Sequence, residues 1–272
     1  MRIRITHETT YRYDDPVKST MQMLRLTPRG HEGQTILKWS LDTDADARLI
    51  RREDWYGNIM HTLYAQGPVE EIRLKVSGEI ETTDTAGITR GCAERFPVPF
   101  FLRQTRLTHA DPAIRAFAED TAGRLSNPLD RAHAITAALH GRLLFDTQAT
   151  DTATAAEEAF AAGHGVCQDF THVFLAAARH LGIPARYVSG YLHRPDQVVQ
   201  DAGHAWAEAH IEGLGWVSFD GANSTSATEH YIRVAIGLDY LEAAPVRGAF
   251  YGASQEDLGV NLTIESARQA QG

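Results

Sequence analysis

One cysteine stands where local structure would raise its reactivity. In Gly163-His164-Gly165-Val166-Cys167-Gln168-Asp169-Phe170 the two glycines permit a sharp turn. Phe170, Phe174, Ala177, Ala178 and Leu181 then recur at helical spacing, which puts Cys167 in the first turn of a helix. Unpaired N–H groups and the positive dipole end favour a thiolate there. The effect is small, about 0.3–1 kcal/mol against about 1.4 kcal/mol per pKa unit, and an ordinary thiol titrates near ~8.5. A nucleophilic Cys167 therefore needs a histidine beside it.

The chain has thirteen histidines. His204, in Gly203-His204-Ala205-Trp206-Ala207-Glu208, opens a predicted strand, where a side chain is held rigidly at a sheet edge. Asp220 ends the next predicted strand, Trp216-Val217-Ser218-Phe219-Asp220, and antiparallel pairing would bring it to the imidazole. Cys167, His204 and Asp220 form a candidate catalytic triad. Other residues take plainer roles. Asp169 suits a helix dipole, Arg186 an ion pair, His164 a loop and Cys92 a free structural thiol, while Trp206 and Trp216 belong to the core. Gly163-His164-Gly165 lacks the third glycine of a dinucleotide loop, and Tyr187-Val188-Ser189-Gly190 lacks the first glycine of a hydrolase elbow. With no His-Glu-x-x-His and no paired cysteines, neither a metal site nor a cofactor is expected.

These residues need a framework. The 272 residues, 43% hydrophobic and 22% charged, have a globular composition. The net charge of -9 is dispersed, which argues against nucleic acid or an anionic membrane as main partner. No apolar run reaches the ~20 residues of a membrane span, and Met1-Arg2-Ile3-Arg4-Ile5-Thr6-His7 alternates rather than forming a signal core. Two cysteines are too few for a disulfide scaffold, so a soluble cytoplasmic protein is expected, its oligomeric state open. Ile3–Tyr13, Leu37–Leu41, Ile59–Tyr64 and Ile72–Ile80 alternate as short strands, predicting a sandwich-like β domain over residues 1–85. Residues 85–105, with Phe96-Pro97-Val98-Pro99-Phe100, read as a connection.

Beyond it, Asp111-Pro112 opens a helix, a second spans Leu129–Leu144, and Thr154 with Glu157 forms a capping box for a third. Gly182 and Pro184 stop the cysteine helix. Strands at Ala185–Leu192, His204–Ile211 and Trp216–Asp220 follow, and Val246–Tyr251 with Val260, Leu262 and Ile264 predicts a closing hairpin. Residues 86–272 thus form an α+β domain, helices on an antiparallel sheet.

Four blocks in order resemble the transglutaminase-like superfamily of papain-related thiol enzymes, in its bacterial branch with an N-terminal β domain. They are Gly165-Val166-Cys167-Gln168-Asp169-Phe170, Arg179 with Gly182-Ile183-Pro184-Ala185-Arg186-Tyr187-Val188-Ser189-Gly190-Tyr191, Gly203-His204-Ala205-Trp206, and Gly215-Trp216-Val217-Ser218-Phe219-Asp220. The resemblance implies that Cys167 is the nucleophile, His204 the base and acid, and Asp220 the orienting carboxylate. It implies acyl transfer through a thioester, with hydrolysis of a peptide or protein amide expected. Transamidation, or a non-catalytic peptide-binding module, is the alternative. The backbone N–H of Cys167 is one expected oxyanion donor, the second being unassigned. Asp220 is followed by Gly221-Ala222-Asn223 where many relatives have Pro-Thr.

Overall fold

The computed structural model describes residues 1–252 and 255–267. Its N-terminal part is one seven-stranded antiparallel sheet folded over on itself. Two very long strands, Arg2–Thr27 and Ile59–Thr82, run together through the fold. Both bend in the middle, where their register shifts between Arg12 and Val17 beside the cis Gly67-Pro68 bond. One half pairs with Gln34–Thr43, the other with Ala47–Glu53. The halves close over Tyr11, Leu24, Leu26, Leu63, Ile72, Leu74 and Val76, a sandwich-like core.

Alternation located this β region but divided it differently. Ile59–Tyr64 and Ile72–Ile80 belong to one strand, because both pair with Arg2–Thr27 on either side of a bend where the register shifts. Ala47–Glu53 escaped notice because Arg48, Arg51, Arg52 and Glu53 mask its period.

The second part is an antiparallel sheet in the order Tyr231–Gly237, Ala185–Leu192, His204–Ile211, Gly215–Phe219, Ile88–Thr89. The segment expected to be mere connection thus supplies an edge strand, and Val98–Leu102 within it is a 3-10 helix. Helices cover one face of the sheet. Asp111 caps Pro112–Ala118 by accepting from the Ile114 N–H at 2.9 Å, and Asn127 caps Pro128–Arg142 by accepting from Leu129 at 2.9 Å. Before Ala156–Ala162 the cap lies one residue later than the motif implied. Glu158, not Glu157, accepts from the Ala155 N–H, at 2.7 Å.

Cys167–His180 is buried on nearly all sides, among the other helices and the sheet, rather than along one stripe. At its far end the Arg179 guanidinium donates to the carbonyls of Phe101, Ala185 and Leu238 and to Thr108 Oγ1, pinning the helix to the sheet. No described helix is long and apolar enough to cross a membrane.

The expected closing hairpin does not form, because among the described residues its two strands lie end to end along one partner and do not pair with each other. Val246–Tyr251 and Glu256–Ser266 pair with Arg2–Thr27, so they complete the N-terminal sheet rather than the sheet of the second part. Ile3, Ile5, Leu262 and Ile264 then pack on Tyr191, Ile232 and Val234, joining the two parts through a shared apolar layer.

Candidate active site

Cys167 is the first residue of its helix. The entry to that helix is held by Asp169, whose Oδ2 accepts from the Val166 N–H at 2.8 Å and from Thr150 Oγ1 at 2.6 Å. A Cβ at Gly165 would come within 2.6 Å of that same oxygen, so only glycine lets the carboxylate reach the turn. Asp169 therefore positions the cysteine backbone and lies outside the candidate triad. Burial raises its pKa.

His204 begins the strand His204–Ile211, opposite Gly190. A Cβ at Gly190 would meet the Ile232 carbonyl at 2.0 Å, so glycine is required for the strands to approach there. Asp220 follows Gly215–Phe219, the neighbouring strand. Its Oδ2 stands 2.6 Å from His204 Nε2. With Nε2 engaged, Nδ1 is the ring nitrogen left for the sulfur of Cys167. Both partners are buried, and Cys167 is half-buried.

The charge balance follows from this packing. Burial opposes a charged imidazole. Negative charge at Cys167, hydrogen bonds to Asp220 and Cys167, and the Asp220 charge together outweigh it, and the His204 pKa is pushed up to about 10. Burial likewise opposes the Asp220 carboxylate. The His204 hydrogen bond and charge, then Asn223 and Tyr231, still hold it below the usual range.

Asn223 and Tyr231 were missed by sequence reasoning. The Tyr231 hydroxyl donates to Asp220 Oδ2 at 2.8 Å, Asn223 Nδ2 donates to the same oxygen at 2.7 Å, and the Asn223 N–H donates to Oδ1 at 3.1 Å. Thus the Gly221-Ala222-Asn223 loop supplies two of the donors that fix the carboxylate. Tyr231 belongs to Tyr231–Gly237, a strand whose alternating β-branched Ile232, Val234 and Ile236 gave a signal that went unread.

The remaining candidates make no hydrogen bond to this cluster, although Trp206 packs against it. Arg186 is fully buried, its Nε 2.7 Å from Glu208 and Nη1 2.9 Å from Glu94, with the guanidinium 3.8 Å from the Trp216 ring centroid. Trp206 is core, its ring 6.1 Å from that of His204. His164 belongs to a two-residue strand beside Leu144–Phe145. Burial pushes the free Cys92 thiol up. Among the described residues there is no group of three or more metal-ligating side chains.

A cleft of about 290 Å³ opens at Cys167 and His204. Tyr187 and Gly203 line one side, and Thr9, Tyr11, Leu258 and Val260 of the N-terminal sheet line the other. The β domain therefore helps to build the cleft.

Comparison with known proteins agrees with this architecture. Residues 115–221 match the transglutaminase-like superfamily, and residues 3–81 match the bacterial transglutaminase-like N-terminal region. An uncharacterised protein of Mycobacterium leprae is 31% identical, over 97% of this chain and 98% of its own length. One from Mycobacterium tuberculosis is 28% identical over 97% and 92%. A Cytophaga hutchinsonii crystal structure, named as that of a candidate cysteine protease, superposes with a TM-score of 0.77 at 20% identity. It covers 97% of this chain and 98% of that one, and it supports the same α+β fold. The chain belongs to the transglutaminase-like superfamily, with the N-terminal β region of its bacterial members.

Proposed function

We propose that this is a thiol-dependent acyl-transfer enzyme that hydrolyses peptide or amide bonds through Cys167, His204 and Asp220. The observation that carries the reading is the buried His204–Asp220 contact of 2.6 Å, which leaves the other imidazole nitrogen for a cysteine at a helix start. The Cys167 thiolate attacks the substrate carbonyl carbon, and the carbonyl electrons move to oxygen. The Cys167 N–H at the helix start is placed to stabilise that oxyanion. The intermediate collapses, the C–N bond breaks, and protonated His204 gives its proton to the leaving amine. A thioester remains on Cys167. Water, deprotonated by the now neutral His204, attacks the thioester carbonyl, the C–S bond breaks, and the thiolate–imidazolium pair is restored. Water needs no second binding site, which favours hydrolysis over transfer to an amine.

The test is the rate of iodoacetamide alkylation against pH in wild type, Cys167→Ala and His204→Ala, with mass spectrometry locating the label. Rapid labelling of Cys167 below pH 7 that slows in His204→Ala supports the enzyme. Labelling that rises only near ~8.5 and ignores His204 would overturn it. Product analysis with peptide amides, with and without a primary amine, then separates hydrolysis from transamidation.

A further inference from the structure

We propose that the open edge of the strand Glu256–Ser266 docks the substrate as an extended peptide, adding a strand to the N-terminal sheet alongside the nucleophile. This rests on the acyl-transfer reading above and specifies the substrate's conformation and its recognition.

Glu256–Ser266 pairs with Arg2–Thr27 along one side without a register break. On its other side it pairs only with Val199–Gln200, at Leu262 and Thr263. Among the described residues no strand pairs with that side of residues 256–261. The backbone phase is set by two hydrogen bonds. The Ile264 N–H donates to Val198 O at 2.9 Å on the open side, and the Ala267 N–H to Arg2 O at 2.8 Å on the paired side. Strand alternation then turns the N–H and C=O groups of Val260 and Leu258 toward the open side. Those two residues also line the cleft that contains Cys167 and His204.

The opposite wall fits the same purpose. After Gln200 the chain leaves the edge, and Ala202 and Gly203 line the far side of the cleft before His204. Ala202 and Gly203 thus share one cleft with the open edge at Leu258 and Val260. Folded proteins generally blunt such an edge with proline, lysine, a bulge or a covering segment. Residues 256–261 carry neither proline nor lysine; their charges, Glu256 and Asp257, sit at one end, and the cleft-lining Leu258, 55% exposed, and Val260 are apolar. An extended peptide would satisfy the two backbone donors and two acceptors of Leu258 and Val260. Its side chains would alternate, those on one face meeting Tyr11, Leu258 and Val260 and therefore being apolar.

The experiment measures second-order alkylation rates of Cys167 in the full chain. Chloroacetyl-Leu-Val-Leu-Ala-amide is compared with chloroacetamide, and acetyl-Leu-Val-Leu-Ala chloromethyl ketone with chloroacetone, so that both directions of approach are covered. At least one peptide should react about tenfold or more faster than its bare electrophile, the gain expected from one or two backbone hydrogen bonds with apolar contact. Methylating its amide nitrogens one at a time should abolish the advantage at alternate positions only. Val260→Pro, which removes an N–H on the open side, should lower the peptide-to-electrophile rate ratio. Peptides no faster than their bare electrophiles, or indifferent to N-methylation at every position, would overturn the docking edge even where Cys167 is activated. An unactivated Cys167 toward chloroacetamide would instead refute the acyl-transfer reading.

Discussion

Replacing Asp220 with asparagine tests how the imidazole is held charged. The side chain keeps its size and one acceptor oxygen but loses its charge. A hydrogen bond to a charged group is worth about 1.5–3 kcal/mol against about 0.5–1.5 kcal/mol for a neutral pair. The difference, roughly 1–1.5 kcal/mol, corresponds to about one pKa unit. His204, pushed up to about 10 in the wild type, should therefore titrate about one unit lower in Asp220→Asn. Negative charge at Cys167 still raises it in the variant, so it should not fall back to the ordinary value of 6.5. The assay is an imidazole NMR titration over the alkaline range, with the His204 signal identified by its loss in His204→Gln. An unmoved titration in Asp220→Asn, or a wild-type His204 titrating near 6.5, would refute the electrostatic account.

Further outcomes follow from the same contacts. Cys167→Ala should lower the His204 titration further than Asp220→Asn, because charge at Cys167 is the largest influence holding the proton, and the same NMR titration reads it. Tyr231→Phe removes a 2.8 Å hydrogen bond to the Asp220 carboxylate and should cost about 1.5–3 kcal/mol in urea unfolding. Glu208→Gln breaks a buried cluster with Arg186 and Arg233, and should cost about 3–5 kcal/mol by the same measurement. Burial lowers His7 and His31 to about 4 and His172 to about 3, with Arg charges adding to the shift at His31 and His172. The unfolded chain binds those protons first, so stability should be full above pH 6.5 and fall progressively toward pH 3–4, with His7→Gln flattening part of that loss.

Local chemistry decided much of this protein. The Asp111-Pro112 cap, the helix beginning at Cys167 and the strands at Ala185–Leu192 and His204–Ile211 all follow from short-range signals, namely capping geometry, apolar period and glycine placement. The positions of the candidates Cys167, His204 and Asp220 were legible for the same reason, since each stands at the end of an element whose end is marked. Long-range pairing was not legible. Nothing in Glu256–Ser266 states that its partner is Arg2–Thr27, some two hundred and fifty residues earlier, because the period of a strand specifies its faces and not its neighbour. Tyr231 and Asn223 became part of the Asp220 site only when the sheet order and the loop after the strand brought their donors to one carboxylate. The sequence marked which groups are candidates to react. Tertiary structure decided which groups hold them, and that the N-terminal sheet forms a wall of their cleft, because hydrogen-bond partners and cleft walls are set by distances in space rather than along the chain.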